Sequence, residues 1–211
     1  MKFDLILLCA GKGQRYGNGS KPLTEFKIKG KTNPLWWITL QPFLNKPELN
    51  KVIITIPKNT EIKFLESIPD TSIPEKLLFV EGGNTREKSI KNALDYVESD
   101  YVIIHDGCRP FVSKKVFQKM INSFPRNEIA MTYTLPDRKI FDDWNNEIID
   151  NEYVVILETP QMYRSKDLLL VDVPETLMSD TVFINWIELS KKEALKLTYP
   201  YQKNLFERLL K

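Results

Sequence analysis

Short apolar runs alternate along this chain with segments of helical periodicity. Strand-like runs occupy residues 3–9, 51–57, 77–80, 101–104 and 129–134. Helical patterns occupy residues 33–43, 60–67, 86–97 and 113–124. Strands that are separated by helices pair in parallel, and the helices pack on both faces of the sheet. The alternation therefore predicts an α/β fold built on one mostly parallel, twisted sheet.

The carboxyl ends of three predicted strands carry the residues best suited to bind a ligand. The first strand runs into a glycine-rich loop, the third ends at Gly82 and Gly83, and the fourth ends at His105 and Asp106. Ligands of open α/β sheets bind in the crevice outside the carboxyl ends of the strands. We therefore expect these three strand ends to converge on one site.

The loop after the first strand, residues 10–22, combines glycines with cations. Its glycines are Gly11, Gly13, Gly17 and Gly19, and its cations are Lys12, Arg15 and Lys21. Glycine lets the backbone approach an anion, and successive N–H groups form an anion-binding nest. The spacing matches neither the dinucleotide-binding fingerprint nor the Walker loop. Taken alone, the loop is compatible with a phosphate site or with a surface turn.

Asp106 follows an apolar strand and is expected to face the cationic loop. Magnesium binds to one or two carboxylates together with phosphate oxygens and water. The alternative is that Asp106 only forms an ion pair with the nearby Arg109. Because the glycine loop already favours phosphates, we favour Mg²⁺ as the cofactor, with Asp106 as its ligand.

Composition and charge exclude several other classes of function. The formal net charge is only +2, so the chain carries no excess charge for nucleic acid or a membrane surface. A single histidine, His105, excludes histidine-rich zinc sites. Cys9 and Cys108 end apolar runs, and we expect them to be buried thiols of a cytoplasmic protein. We expect neither a leader peptide nor a membrane span.

The alternation of strands and helices is interrupted at residues 137–158. This segment resembles two short strands around a polar turn at 144–147. A two-stranded hairpin is marginally stable alone and normally packs against other structure. We interpret it as a protruding arm that forms a homodimer, within a single domain that spans residues 1–211. Further helices are predicted near residues 165–171, 180–189 and 202–210.

Five motifs along the chain resemble those of one enzyme family. They are AGxGxRxG at 10–17 with KPL at 21–23, GGxxRxxS at 82–89, HDxxRP at 105–110, TPQ at 159–161 and KxTxP at 196–200. Their order resembles that of the 2-C-methyl-D-erythritol 4-phosphate cytidylyltransferases and the related ribitol-5-phosphate cytidylyltransferases. This branch of the sugar-nucleotide nucleotidyltransferases implies a Rossmann-like fold. Bifunctional versions carry a second catalytic domain, which we do not expect here.

The resemblance implies roles for most of the predicted site. The implied nucleotide-binding residues are Ala10, Gly11, Gly13, Gly82, Arg86, Ser89 and Arg109. Arg15 and Lys21 would stabilise the charge that develops on the phosphates of CTP. Lys196 would orient the incoming phosphate monoester. Asp106 would bind Mg²⁺, on a loop that Arg109 braces.

The acceptor side departs from the family pattern. The family places an arginine eight residues before the threonine of TPQ, and Asn151 occupies that position here, between two acidic residues. Asn151, Thr159 and Asp180 are the predicted substrate-binding residues. Lys27 is the alternative to Lys21 as the loop lysine, because the spacing of this loop differs from the family pattern.

The resemblance implies a Mg²⁺-dependent cytidylyltransferase that joins CTP to a small polyol phosphate. The favoured acceptor is 2-C-methyl-D-erythritol 4-phosphate, in the non-mevalonate synthesis of isoprenoid precursors. The change at Asn151 keeps ribitol 5-phosphate, or another polyol or sugar phosphate, as the alternative acceptor. A degenerate protein that binds CTP without turnover is the third hypothesis.

Overall fold

The computed structural model describes residues 1–17, 20–69, 75–123, 129–134, 140–142, 147–149, 156–170 and 184–211. Its strands are β1 (Phe3–Leu8), β2 (Glu25–Ile28), β3 (Lys31–Pro34), β4 (Leu49–Ile56), β5 (Leu77–Glu81), β6 (Tyr101–Asp106), β7 (Ile129–Thr134), β8 (Ile140–Asp142), β9 (Glu147–Ile149), β10 (Ile156–Arg164) and β11 (Ile184–Glu188). Its α-helices are α1 (Leu35–Leu44), α2 (Glu61–Glu66), α3 (Arg86–Leu94), α4 (Lys114–Ser123), α5 (Ser165–Leu170) and α6 (Lys203–Leu210). None of these described helices combines the length and hydrophobicity needed to cross a lipid bilayer.

Seven strands form the main sheet, in the order β11-β7-β10-β6-β1-β4-β5. β1 pairs in parallel with β4 and β6, β4 pairs in parallel with β5, and β11 pairs in parallel with β7. This confirms the predicted mostly parallel α/β sheet. β10 is the exception, because it runs antiparallel to both of its neighbours, β6 and β7.

The antiparallel direction of β10 matters for the site. Gln161 pairs with Ile104, so the chain just before Gln161 lies beside the carboxyl end of β6. Glu158 and Thr159 are thereby brought next to Asp106. The TPQ motif and the HDxxRP motif, far apart in the sequence, meet at the same edge of the sheet.

Apolar side chains cover both faces of the sheet. One face packs against α1, α2 and α4, with Trp36, Phe43 and Phe117 fully buried. The other face packs against α3 and α5 through Ile90 and Leu168. Strands that are covered on both faces need apolar residues at successive positions, which explains the apolar runs at residues 5–8 of β1 and 102–104 of β6. Trp36 and Trp37 are core residues of α1, as helix packing predicts.

A third, smaller core joins the β2–β3 hairpin, the loop after β6 and the end of the chain. It contains Phe26, Cys108, Leu197 and Phe206, all buried. The N–H of Leu197 donates to the carbonyl of Cys108 at 3.0 Å. This core fixes the KxTxP segment against the loop that follows β6.

The prediction of a helix near residues 180–189 is wrong for the residues that the structure describes, which begin at 184. Residues 184–188 form the edge strand β11, in parallel register with β7. Between Trp186 and Leu189 exposed and buried side chains alternate, which is the period of a strand and not of a helix. Trp186 packs edge-on against Tyr133 of β7, with ring centroids 6.0 Å apart.

The arm predicted at residues 137–158 is described only in part. β8 and β9 pair in antiparallel register, Ile140 with Ile149 and Asp142 with Glu147. Residues 156–158, which the prediction assigned to the arm, begin β10 in the main sheet. Residues 137–139, 143–146 and 150–155 lie outside the described part of the chain. The dimer role of the arm stays a prediction.

Candidate active site

A cleft of about 210 Å³ opens at the carboxyl ends of β1, β5 and β6. The predicted site residues that line it are Ala10, Gly11, Lys21, Arg86, Ser89, Asp106 and Lys196. The glycine loop, the turn after β5 and the end of β6 therefore converge, as the strand order requires. Four of these residues are ionised side chains, so the cleft is built for a charged ligand.

The conformation of the glycine loop explains the spacing of Gly13 and Gly17. Gly13 and Gly17 flank a single 3-10 turn, Gln14–Tyr16, and their φ angles are +59° and +92°. Such angles favour glycine because a Cβ atom would clash with the backbone. Arg15 does not line the cleft, and its guanidinium carbon lies 6.0 Å from the centroid of the Tyr199 ring.

Lys21, not Lys27, faces the cleft. Lys21 begins a second 3-10 turn and lines the cavity. Lys27 is an exposed residue of β2 that pairs across the hairpin with Thr32. The geometry thus favours Lys21 between the two predicted candidates for the loop lysine.

Ser89 and the two glycines after β5 form one hydrogen-bonded turn. The Ser89 hydroxyl accepts from the N–H of Gly83 at 3.0 Å and donates to the carbonyl of Thr85 at 2.9 Å. The Thr85 hydroxyl caps α3 by accepting from the N–H of Lys88 at 3.1 Å. The N–H of Gly82 donates to the carbonyl of Ile56, which ties the turn to β4. The wall of the cleft is therefore held by side-chain caps.

A second cavity, of about 430 Å³, adjoins the cleft on the side of β10. Five of the site residues predicted from the sequence line it: Arg86, Asp106, Arg109, Thr159 and Lys196. Arg86, Asp106 and Lys196 line both cavities. Two ligands, one in each cavity, would therefore meet at these three side chains.

A buried ion network lies at the junction of the two cavities. The Oδ2 atom of Asp106 accepts from Lys196 Nζ at 2.7 Å and from Arg109 Nε at 3.1 Å. Arg109 also pairs with Oε2 of Glu158 at 2.5 Å and donates to the carbonyl of Ala194. Burial alone would raise the pKa of Asp106, but the Lys196 and Arg109 charges lower it far below its usual range. Asp106 is therefore ionised at every physiological pH.

Burial also raises the pKa of Glu158 and of the two thiols. Burial raises the pKa of Glu158, and Arg109 opposes that rise. Burial raises the pKa of Cys108 to about 12 and the pKa of Cys9 well above its usual value. Both cysteines are buried free thiols, as predicted, and burial keeps them protonated.

His105 and Thr159 connect the end of β6 to β10. The N–H of Asp106 donates to Thr159 Oγ1 at 3.1 Å, and His105 Nδ1 lies 3.1 Å from the same oxygen. His105 Nε2 lies 3.2 Å from the carbonyl of Arg109. A carbonyl can only accept, so Nε2 carries the proton and Thr159 donates to Nδ1. Burial lowers the pKa of His105 to about 4, which keeps this ring neutral.

The site offers one carboxylate to a Mg²⁺ ion and not the several side chains of a metal cluster. Among the described residues, no group of three or more His, Cys, Asp or Glu side chains is positioned to hold a metal. Both ion pairs of Asp106 with described residues fall on Oδ2, which leaves Oδ1 for another ligand. Because Mg²⁺ takes one or two carboxylates plus phosphate oxygens, one ionised Asp106 beside a phosphate cradle suits it.

Several residues of the second cavity were not predicted from the sequence. They are Glu87, Met131, Leu157, Glu158, Gln161 and Tyr163. Glu158 directly precedes the TPQ motif, and this position is the one signal in the sequence that indicates a place for Glu158 in the site. The predicted substrate residues Asn151 and Asp180 lie outside the described residues, and their roles stay predictions.

A family model described as 2-C-methyl-D-erythritol 4-phosphate cytidylyltransferase matches residues 3–175 of this chain. A protein of that name from Clostridium beijerinckii is 32% identical over 164 residues, which cover 75% of this chain and 71% of the relative. A bifunctional enzyme IspD/IspF from Campylobacter jejuni is 28% identical over 206 residues, which cover 94% of this chain and 52% of the relative. The chain thus spans about half the length of such bifunctional relatives.

The fold is also similar to solved structures. The structure of 4-diphosphocytidyl-2C-methyl-D-erythritol synthase from Anaerococcus prevotii superposes with a TM-score of 0.78, at 22% sequence identity. The match covers 99% of this chain and 96% of that one. At this identity the similarity establishes a shared fold.

Proposed function

The chain belongs to the 2-C-methyl-D-erythritol 4-phosphate cytidylyltransferase family, and on that premise we propose that it joins CTP and 2-C-methyl-D-erythritol 4-phosphate. The products are the CDP-polyol and pyrophosphate, in isoprenoid precursor synthesis. The observation that carries the proposal is the pair of adjoining cavities that share Arg86, Asp106 and Lys196. A reaction between two anionic substrates needs this arrangement, one cavity for each and cations between them.

The nucleotide occupies the cleft beside the glycine loop in this proposal. Ala10, Gly11 and Lys12 lie at its wall, and Lys12 and Lys21 supply positive charge there. Arg15 lies outside the cleft, so its predicted role requires the 3-10 turn between Gly13 and Gly17 to swing inward when CTP binds. Loop closure of this kind places charge where it is needed and excludes water.

The acceptor occupies the second cavity, with its phosphate at the junction. An oxygen of that phosphate attacks the α-phosphorus of CTP, the bond to the β-phosphate oxygen breaks, and pyrophosphate leaves with the electron pair. Transfers of this type depend on positioning and on electrostatic stabilisation. Lys196 is well placed for both, because its ammonium is held 2.7 Å from Asp106 and its backbone is fixed by the buried Leu197.

Mg²⁺ is the proposed cofactor, with Asp106 as its protein ligand. When bound, it neutralises phosphate charge and helps to align the two substrates. The contribution of the chain is a carboxylate that stays ionised and is held in place. Arg109 and the Thr159 hydroxyl hold it, through the side chain and the backbone N–H of Asp106.

We further propose a cytoplasmic homodimer that contacts its partner through the arm. Two large apolar side chains stand exposed on the face of the sheet that carries Tyr133 of β7: Leu157 at 41% and Trp186 at 42%. An exposed apolar patch of this kind is typical of a protein–protein interface. Size-exclusion chromatography with light scattering tests it, and a monomer at micromolar concentration would contradict it. The two free thiols and the use of CTP support the cytoplasm.

The proposed reaction is tested by identifying its product. The purified protein is incubated with CTP, Mg²⁺ and 2-C-methyl-D-erythritol 4-phosphate, and mass spectrometry is used to detect the CDP-polyol. We expect the CDP-polyol, with none after chelation of the metal. Calorimetric CTP binding without any product from this acceptor or from ribitol 5-phosphate would instead support the degenerate CTP-binding hypothesis.

A further inference from the structure

Three cations line the second cavity, and two of them are already neutralised. Arg109 pairs with Asp106 and Glu158, and Lys196 pairs with Asp106. Arg86, the third, makes no ion pair with any residue that the structure describes. A dianionic phosphate that enters this cavity finds one cation that no described carboxylate holds in an ion pair, the adjacent Glu87 included.

Arg86 is also placed where the two substrates meet. It is the first residue of α3, and the Thr85 cap fixes the backbone from which its side chain extends. The side chain lines the nucleotide cleft and the second cavity. Asp106 of β6 lines both cavities with it, and Tyr163 of β10 lines the second cavity. The guanidinium therefore acts across the passage between the cavities.

We propose that Arg86 binds the phosphate of the acceptor and presents its oxygen to the α-phosphorus of CTP. This inference rests on the proposed function and changes the role of Arg86 from a nucleotide-binding residue to an acceptor-binding one. A guanidinium suits the task because it forms two parallel hydrogen bonds to phosphate oxygens and holds the phosphate in one orientation. Lys196 and Arg109 are held by carboxylates, so Arg86 supplies the one cation of this cavity that forms no ion pair with a described residue.

The test compares Arg86→Gln and Arg86→Lys with a matched control on the same helix. Lys88→Gln removes one positive charge two residues away, and it keeps the Cβ and Cγ atoms that pack against Gly83. Lys88 lines neither cavity. KM is measured for each substrate in turn at saturation of the other.

We expect Arg86→Gln to raise KM for 2-C-methyl-D-erythritol 4-phosphate about 10- to 100-fold, the range of a lost charge-assisted hydrogen bond. KM for CTP should stay within about threefold of wild type, since lysines of the glycine loop still hold the nucleotide. Arg86→Lys should recover part of the loss, and Lys88→Gln should behave as wild type. A rise in KM for CTP with an unchanged acceptor KM would overturn the proposal and restore the nucleotide role.

A binding experiment separates this inference from the proposed reaction. Wild type and both charge-removing variants are titrated by calorimetry with 2-C-methyl-D-erythritol 4-phosphate and with the dephosphorylated polyol. A preference for the phosphorylated compound that disappears in Arg86→Gln and persists in Lys88→Gln supports the inference, even if wild type shows no turnover. An equal preference in both variants, or no binding of the phosphate by wild type, overturns it.

Discussion

Gly82 offers a sharp test of how the glycine loop is held, because it stands directly against Ala10. A Cβ atom built at Gly82 would lie 2.2 Å from the Cβ of Ala10, well short of the 3.4 Å at which ordinary contact begins. The φ angle of Gly82 lies outside the left-handed region, so the obstacle to Gly82→Ala is purely steric. The end of β1 or the turn after β5 must move to admit one methyl group.

Overpacking of this kind costs about 1–3 kcal/mol of the free energy of unfolding. Because Ala10 lines the nucleotide cleft, Gly82→Ala should also weaken CTP binding. The reverse substitution, Ala10→Gly, removes the opposing methyl group and alone costs about 0.4–1 kcal/mol through the entropy of the unfolded chain. The double variant, Ala10→Gly with Gly82→Ala, moves the methyl group from one position to the position that faces it. The double variant should therefore be more stable than Gly82→Ala by about 1–2 kcal/mol, a large coupling for one contact.

The four proteins of this cycle are compared by urea unfolding, with equal slopes required before the midpoints are used. Gly11→Ala is the matched control for stability, since a Cβ there meets nothing within 4 Å. Calorimetry of CTP binding provides the second readout. If the losses of the two single variants simply add in the double variant, the contact between Ala10 and Gly82 does not limit the loop, and the reasoning fails.

Three other predictions concern the junction of the cavities. Lys196→Met should lower kcat about 10²- to 10³-fold with little change in KM for CTP, and steady-state kinetics showing a normal kcat would contradict its role. Because the pKa of His105 is lowered to about 4, the unfolded chain binds a proton between pH 6.5 and 4 that the folded chain does not. The free energy of unfolding should therefore fall by up to about 3 kcal/mol as the pH is lowered through that window. His105→Gln should remove this fall in pH-dependent urea unfolding, since the chain has no other histidine; an unchanged slope would refute the assignment. Thr159→Val should cost about 1–3 kcal/mol because Asp106 N–H and His105 Nδ1 lose their partner, whereas Thr159→Ser should not; denaturation curves that do not distinguish the two would count against the network.

The sequence predicts the parallel part of the sheet well, for a physical reason. β1, β4 and β6 are covered on both faces, so each carries apolar residues at successive positions, and parallel pairing places their carboxyl ends at one edge of the sheet. β10 and β11 were harder to predict. β10 is identified by its pairing with β6 and β7, partners that are distant in sequence. β11 lies at the edge of the sheet with one face exposed, and the sequence near residues 180–189 predicts a helix because the alternating pattern of this strand is short.

The site shows the same contrast between what the strand order predicts and what depends on residues that are distant in sequence. The cleft follows from the positions of three strand ends, and Asp106, Ser89 and Lys21 line it together. The second cavity depends on the antiparallel entry of β10, which brings Glu158 to Arg109. No pattern in the local sequence predicts the ion pair between Arg109 and Glu158. The outward position of Arg15 on Tyr199 likewise results from a contact between the two ends of the chain.

The choice of acceptor is the central claim, and one measurement tests it most directly. Pyrophosphate release is followed with CTP and Mg²⁺ in parallel reactions that contain 2-C-methyl-D-erythritol 4-phosphate or ribitol 5-phosphate. Membership of the family predicts the higher kcat/KM with the first acceptor, in spite of Asn151. Turnover of ribitol 5-phosphate alone would contradict the account and assign the same chemistry to a different acceptor.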